Sequence, residues 1–547
     1  MNGRTGPAAG GPRRPAGGGE TAGIARSAGS VGFAVLLSRV LGLVREQVLA
    51  GLFGAGTAMD AFVVAYRIPN LLRDLFAEGA LSAAFVAVFT DYDQKRTREE
   101  TWALVNNVMA VLAVLLGLVV LLGTVFSDEI VRLMATGFEG QAPGKLLLTR
   151  RLTVIMFPFL ILVSLASVVM GVLNTKGRFF IPALASSCFN LTCILLGGGL
   201  ALVLPRHGVP GIVGMAVGTL AGGLAQLLVQ WPLLHRLGFR LRPRIDLRDP
   251  GLRRIGLLMV PAVVGLSATQ INIFVNTRFA SLCAPGSVAW LSYAFRIMFL
   301  PIGMFGVALS IATMPVVSRQ AARREIGPMR ETLVSSLTLG FALTVPAAVG
   351  LWILAEPVVR LLFEHGRFGP HDTLMTAAAL RFFLIGLFAY GAVKIVVPVF
   401  YALDDAKWPV IGSFTAVGVN LAVVWWLLGP LQHRAVALAL SVAMTANFLL
   451  LAVVLYRKVG GYPAGRLVAS LAKICLASAV MGWVLVLLRG PLFLEPGAGF
   501  WATLWGVGAA VVLGAACYAV VLAPLRVPEV AVLASALRRR LGRTGTA

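Results

Sequence analysis

Charge is what this 547-residue sequence has least of. Only 13% of its residues are Asp, Glu, Lys or Arg, and just 23 are acidic. Soluble domains carry about 25% charge, so an ordinary soluble enzyme of this length is excluded: it could not cover its surface. Cysteine is also scarce. Cys188, Cys193, Cys283, Cys475 and Cys517 lie in or beside apolar runs without a paired framework or metal-ligand spacing, which predicts small apolar core residues. Catalytic motifs are missing as well. Gly140-Gln141-Ala142-Pro143-Gly144-Lys145 lacks the spacing and the Ser/Thr of a phosphate-binding loop. No zinc-protease or nucleophile-elbow motif occurs, and no polar stretch is long enough for a catalytic domain. An ATPase or soluble-type hydrolase is therefore excluded. Energy would come from an ion gradient or the membrane potential, or transport would be passive.

What is present is apolar: 58% of the residues. Fourteen apolar segments run at about 24–53, 58–89, 101–126, 152–173, 181–204, 209–234, 255–280, 287–317, 333–355, 373–402, 408–428, 435–456, 467–488 and 500–522. Each exceeds the roughly 18 residues that mark a membrane helix. They are also too continuous for a porin-type barrel, whose strands alternate over about ten residues. The sequence thus predicts an all-α polytopic membrane protein with about fourteen transmembrane helices. Residues 1–23, rich in Gly, Pro, Ala and Arg, are expected to be a disordered tail, and no signal-peptide pattern follows Arg13-Arg14.

The net charge of +24 would suggest nucleic acid in a soluble protein; here it reads as topology. The connections on one face, including 235–254 and the tail 523–547, hold 29 of the 47 Lys and Arg residues. The opposite connections hold 9, and 9 fall inside helices. Basic residues stay in cytoplasmic loops, so both termini are expected in the cytoplasm, with no nucleic-acid partner.

The chain repeats itself. Ala65-Tyr66-Arg67-Ile68 answers to Ala294-Phe295-Arg296-Ile297, 229 residues on. Each follows a short loop, Gly54-Ala55-Gly56 and Ala284-Pro285-Gly286. Asn190-Leu191 echoes Asn420-Leu421 at an offset of 230. A unit of six helices keeps its membrane orientation, so this is a parallel repeat. The expected organisation is a six-helix lobe at 24–234, a basic linker at 235–254, a second six-helix lobe at 255–456, and two extra helices within 457–522. Two such lobes suggest alternating access by rocking.

Ionisable groups inside apolar segments are costly and mark cavities. The first segment holds Arg39, Arg45 and Glu46; the second holds Asp60, Arg67, Arg73, Asp74 and Glu78. Arg278, Arg296, Arg381 and Lys394 follow in later segments. Asp60, Arg67 and Asp74 recur every seven residues and are expected on one helix face, with Asp74 and Glu78 neighbours one turn apart. Pro69 is expected to break the second helix. Arg67, Asp74 and Glu78 have local ion-pair partners, and Arg278, Arg381 and Lys394 are expected to pair or to snorkel. Arg39, Arg45, Arg73 and Arg296 are the candidate ligand-binding residues, because guanidinium forks suit phosphate and carboxylate. Glu46, Asp60, Arg67, Asp74 and Glu78 are their supporting charges. The implied ligand is an anionic solute or headgroup.

At these residues the sequence resembles the MurJ (MviN) family of lipid II flippases, in the multidrug/oligosaccharidyl-lipid/polysaccharide exporter superfamily. The similarity runs through Ser38-Arg39-Val40-Leu41-Gly42, Arg45, Phe53-Gly54-Ala55-Gly56, Asp60-Ala61-Phe62, Ile68-Pro69-Asn70-Leu71-Leu72-Arg73 and Phe76-Ala77-Glu78-Gly79-Ala80. Later matches include Leu173-Asn174-Thr175, Asn276-Thr277, Gly306-Val307-Ala308-Leu309 and Phe400-Tyr401. The resemblance implies two six-helix lobes around a cationic cavity, with the last two helices forming a lipid-facing groove. It implies a transporter, not an enzyme, that moves the undecaprenyl-pyrophosphate-linked disaccharide-pentapeptide from the inner to the outer leaflet of the bacterial cytoplasmic membrane for peptidoglycan synthesis. Its partners would be lipid II, membrane lipids and cell-wall synthesis machinery. The family's cavity arginines fall on Arg39, Arg45, Arg73 and Arg296, and its acids on Asp60, Glu78 and Glu46. Where some members have acids beside and three residues after the eighth-helix arginine, this sequence has Phe295 and Phe299, so an acid partner for Arg296 must come from elsewhere. Arg67 replaces a lysine. Some members hold sodium between helices seven and eleven, near Asn276 and Asp405 here; no other cofactor is implied. The alternatives are another lipid-linked oligosaccharide flippase or a drug exporter of the same superfamily, or a non-transporting scaffold in a cell-wall complex. Four cavity arginines argue against cationic drugs, and a scaffold would tolerate their loss.

Overall fold

A bilayer core offers no water to backbone N–H and C=O groups, so long apolar runs satisfy them internally as helices. The structure, a computed structural model, describes residues 18–492, 497 and 499–530, without the side chains of residues 18–28 and 76–78. Among the described residues it is helical with no strands. The fourteen apolar segments fall on α1 (Gly18–Phe53), α2 (57–95), α3 (Arg98–Val125), α4 (Lys145–Thr175), α5 (Phe180–His207), α6 (Ile212–Arg236), α7 (Pro250–Ser281), α8 (Ser287–Ala322), α9 (Ile326–Ile353), α10 (Pro370–Leu384 and Leu387–Ala402, bent by 44°), α11 (Lys407–Leu431), α12 (His433–Lys458), α13 (Ala464–Leu487) and α14 (Phe500–Leu522). Among the described residues, eleven of these are long and apolar enough to cross a membrane, or twelve with the bent α10 counted as one span. The other two, α1 and α2, are the charge-bearing ones.

Helix ends follow polar signals. Thr97 and Glu100 form a reciprocal capping box at the start of α3. The Asp249 carboxylate accepts from the N–H groups of Gly251 and Leu252, with Pro250 in the first turn of α7. The start of α1 departs from expectation: residues 18–23, expected in the tail, continue the helix. Residues 1–17 and 531–547, expected as tails, lie outside the described residues.

Pro69 does not break α2. The helix continues through it to Arg73, and the irregularity comes one turn later as a π-helical turn, Asp74–Gly79. Proline removes only one hydrogen bond, and the wider turn absorbs the distortion within the helix. In α8, Pro301 is likewise followed by a π-helical turn, Ile302–Gly306.

Helix packing recurs along the chain. In the first half α1 packs on α5, α5 on α6, and α4 on both α2 and α3; in the second, α7 packs on α11, α11 on α12, and α10 on both α8 and α9. The halves meet where α2 lies against α7 and α8, while α13 packs on α9 and α14 on α13. The segment between α6 and α7 runs along α3. Asn106 and Asn107 hold it through the backbones of Arg240, Arg242 and Asp246 at 2.7–3.1 Å. Outward faces are apolar, with Trp501 and Trp505 on α14 at 70% and 76% exposure, as lipid contact requires. The five cysteines are free thiols. Cys193 and Cys283 are buried as expected, whereas Cys475 is exposed on α13.

Candidate functional site

A cavity of about 700 Å³ lies between the two halves, with walls from α1, α2, α6, α7, α8, α10, α11 and α12. Its charged lining is Arg45, Glu46, Arg67, Arg296 and Lys394. Two of the four candidate arginines, Arg45 and Arg296, therefore reach it directly. Residues of α13 and α14 take no part in this lining.

Glu46 organises the cationic wall. Its Oε1 accepts from Arg45 Nη2 at 2.8 Å and from Arg296 Nη1 at 2.9 Å. The missing acid partner of Arg296 thus comes from α1, across the junction between the halves. Glu46 is 3% exposed and its Oε2 has no partner. Arg45 also lies over the Phe189 ring, 5.5 Å from its centroid. Arg67 donates from Nη1 to Thr277 Oγ1 on α7 at 2.5 Å. Arg67 and Arg296, which lie 229 residues apart in the two matching sequence stretches, both line the cavity. Several cations around one shared carboxylate form a site with surplus positive charge, suited to an anion.

The other predicted residues lie elsewhere. Arg39 is exposed on α1, its Nη1 3.8 Å from where a Cβ on Gly303 of α8 would stand. Arg73 pairs with its neighbour Asp74 at 3.0 Å, and Asn70 donates weakly to the same carboxylate at 3.4 Å; neither Arg73 nor Asp74 lines the cavity. The side chain of Glu78 lies outside the described residues. Asp60, Arg67 and Asp74 do not form one charged face: Arg67 turns to the cavity, Asp60 to a buried contact, and Asp74 enters the π-helical turn. Arg278 and Arg381 donate to the carbonyls of Leu133 and Trp352, and among the described residues they form no ion pair. Lys394, expected to pair or snorkel, lines the cavity.

Asp60 serves a different place. It is 1% exposed and accepts from Lys145 Nζ at 2.7 Å, from the Gly286 N–H at 2.7 Å and from the Ala289 N–H at 2.9 Å. It therefore caps α8, where backbone donors favour an anion. Lys145 also donates to Gln141, whose amide nitrogen donates to the carbonyls of Ser281 and Cys283 at 2.7 and 2.5 Å. Nearby, Arg367 donates its N–H to Gly51 O at 2.9 Å, and Trp290 Nε1 donates to Asp372 at 2.9 Å. These bonds fasten the α1–α2 turn and α4 to the α7–α8 and α9–α10 connections. Lys145 opens α4 directly after the glycine-rich run 137–144, and no local pattern in the sequence links it to a carboxylate 85 residues earlier.

Asn276 Oδ1 accepts from Asn420 Nδ2 at 2.8 Å, joining α7 to α11. Asp405 is not part of the cavity lining. It follows α10 and pairs with Lys458, whose hydrogen bond holds the Asp405 carboxyl below the usual carboxylate range.

This cavity, its arginine–glutamate cluster and the surrounding helices can be compared with known proteins. The family model described as Lipid II flippase MurJ matches residues 49–500. The chain belongs to the lipid II flippase MurJ family. A protein of Burkholderia cenocepacia named Lipid II flippase MurJ is 37% identical over 426 residues, covering 76% of this chain and 80% of that one. A solved structure described as lipid II flippase MurJ in an inward closed conformation superposes with a TM-score of 0.75 at 26% identity, covering 91% of this chain and 98% of the other. A multidrug resistance MATE family transporter of the MOP superfamily, inward-facing, shares the fold with a TM-score of 0.62 at 16% identity, over 77% of this chain and 94% of its own.

Proposed function

We infer that this MurJ-family chain is a lipid II flippase: it moves the undecaprenyl-pyrophosphate-linked peptidoglycan precursor from the inner to the outer leaflet of the bacterial cytoplasmic membrane. The carrying observation is the Arg45–Glu46–Arg296 cluster on the wall of a cavity between the two halves. In this reading Arg45, Arg67 and Arg296 take the pyrophosphate, which competes with Glu46 for the guanidinium donors. Releasing Glu46 loosens the link between α1 and α8 and lets the halves move. Arg39 and Arg73, outside the lining in this conformation, join the path as the cavity changes shape. The prenyl tail stays in lipid along α13 and α14.

We further propose fourteen spans with both termini in the cytoplasm, and two six-helix lobes, at 24–234 and 255–456, that rock about the cavity. The recurrence of packing partners six helices apart supports the lobes. The contacts around Asp60 and Lys145 then close the outer side. Transport draws on the membrane potential or on sodium, and the protein works beside the cell-wall synthesis machinery.

The test is reconstitution of the purified chain in vesicles with labelled lipid II, following its exchange between leaflets. Exchange by the native chain with loss in Arg296→Ala supports the reading. Undiminished exchange in Arg296→Ala overturns the cavity mechanism, and no exchange by the native chain overturns the function.

A further inference from the structure

Part of the cavity lining is not used by the pyrophosphate reading. That part of the lining carries one amine and several carboxamides. Lys394, on the second segment of α10, is exposed to the cavity. No carboxylate among the described residues pairs with it, and Glu46, the one described acid in the lining, is already held by Arg45 and Arg296. Asn272 on α7 and Asn447 on α12 also line the cavity. The side-chain oxygen of each is shielded yet lacks a hydrogen-bond partner, and Asn447 is 3% exposed. Gly412 makes room for the Asn447 amide: a Cβ there would stand 2.4 Å from Asn447 Oδ1.

Such groups are expensive to keep. An unsatisfied buried acceptor costs about 1–3 kcal/mol, and an unpaired charge at membrane depth costs more. Together they offer an ammonium donor for an anion and amide oxygens for N–H groups. Pyrophosphate has no N–H. A glycan could meet the amides but would leave the ammonium without a counter-charge. A peptide bearing a free carboxylate satisfies both.

We propose that Lys394, Asn272 and Asn447 form a second subsite that receives the carboxylate-bearing stem peptide of the cargo, while the arginine wall holds the pyrophosphate. This rests on the lipid II reading and adds to it a basis for peptide recognition. The Lys394 ammonium donates to the carboxylate, and the two amide oxygens, shielded in this conformation, turn into the cavity to accept peptide N–H groups. A cargo without its peptide carboxylates loses a charge-assisted contact, worth roughly tenfold in rate or more.

The experiment compares two cargoes in vesicles containing the full chain: lipid II, and lipid II whose stem-peptide carboxylates have been converted to carboxamides. The native chain is expected to move the native cargo about tenfold faster. Lys394→Gln should move both at one slow rate, and Lys394→Arg should restore the preference. Arg45→Ala should lose both cargoes, as the pyrophosphate reading requires. A native chain that moves both cargoes equally well, or a Lys394→Gln variant that keeps the native preference, overturns the subsite while leaving the flippase reading standing. Movement of neither cargo by the native chain is instead the failure of that reading. Melting temperatures of the purified variants separate loss of recognition from loss of fold.

Discussion

Glu46 has one carboxylate oxygen shared by two guanidinium groups and a second with no partner. Glu46→Gln removes the charge that holds Arg45 and Arg296 together, so the two cations repel inside a low-dielectric wall. The expected result is slower lipid II exchange together with a lower melting temperature, measured on the same purified protein. Arg296→Ala removes an anion donor as well, and lipid II exchange should fall by about tenfold, the scale of one charge-assisted contact. Arg45→Lys keeps the charge but loses the fork, so it should exchange lipid II more slowly than the native chain and faster than Arg45→Ala. These residues were legible in the sequence because charge within an apolar run demands a cavity or a partner. Their pairing was not legible: Glu46 meets Arg296 from a helix 250 residues away, and spacing reports only neighbours on the same helix. For the same reason Asp60 was grouped with the cavity charges, although its partners are Lys145 and the α8 N-terminus.

Among the elements, α2 carries the irregular geometry, and Gly79 shows why it tolerates no side chain at one point. A Cβ there would stand 2.3 Å from Leu266 Cδ1 on α7 and 2.8 Å from the Asp74 carbonyl. Gly79→Val therefore has to displace both the π-helical turn and the α2–α7 contact. Lipid II exchange should fall, and Leu266→Ala should rescue it only in part, because the carbonyl clash lies within α2 itself; full rescue would place the whole effect at α7. The polar contact around Asp60 is the second element-scale device. Lys145→Met leaves a buried carboxylate without its cation, a loss of about 3–5 kcal/mol for buried pairs. We expect easier opening at that end, seen as faster labelling of a cavity cysteine by a membrane-impermeant maleimide added outside. Helix positions were readable from apolar length alone. The π-helical turns were not, because they arise where proline distortion and packing against another helix are absorbed together.

At the scale of the whole molecule, the charge asymmetry makes two claims. A protease-cleavable tag at residue 245, within the segment held by Asn106 and Asn107, should be cut only from the cytoplasmic side; cutting from outside reverses the proposed topology. The second claim concerns voltage. Among the described residues the cavity is lined by four cations and one carboxylate, so the empty cavity carries a net positive charge through its return step. Bound pyrophosphate neutralises most of that charge, and the loaded step moves little. A charge crossing the full field gains about 2.3 kcal/mol per 100 mV. An inside-negative potential therefore speeds the return of the empty cavity to the cytoplasmic side more than it speeds cargo movement. Turnover at saturating lipid II should rise when a potassium diffusion potential of that sign is imposed on oriented vesicles, and fall when the sign is reversed. Removing one lining cation by Lys394→Gln should flatten the dependence, while a variant on the lipid-facing surface, such as Trp505→Leu, should leave its slope unchanged. An identical slope in Lys394→Gln and native protein would show that the cavity charges do not carry the voltage-sensitive step.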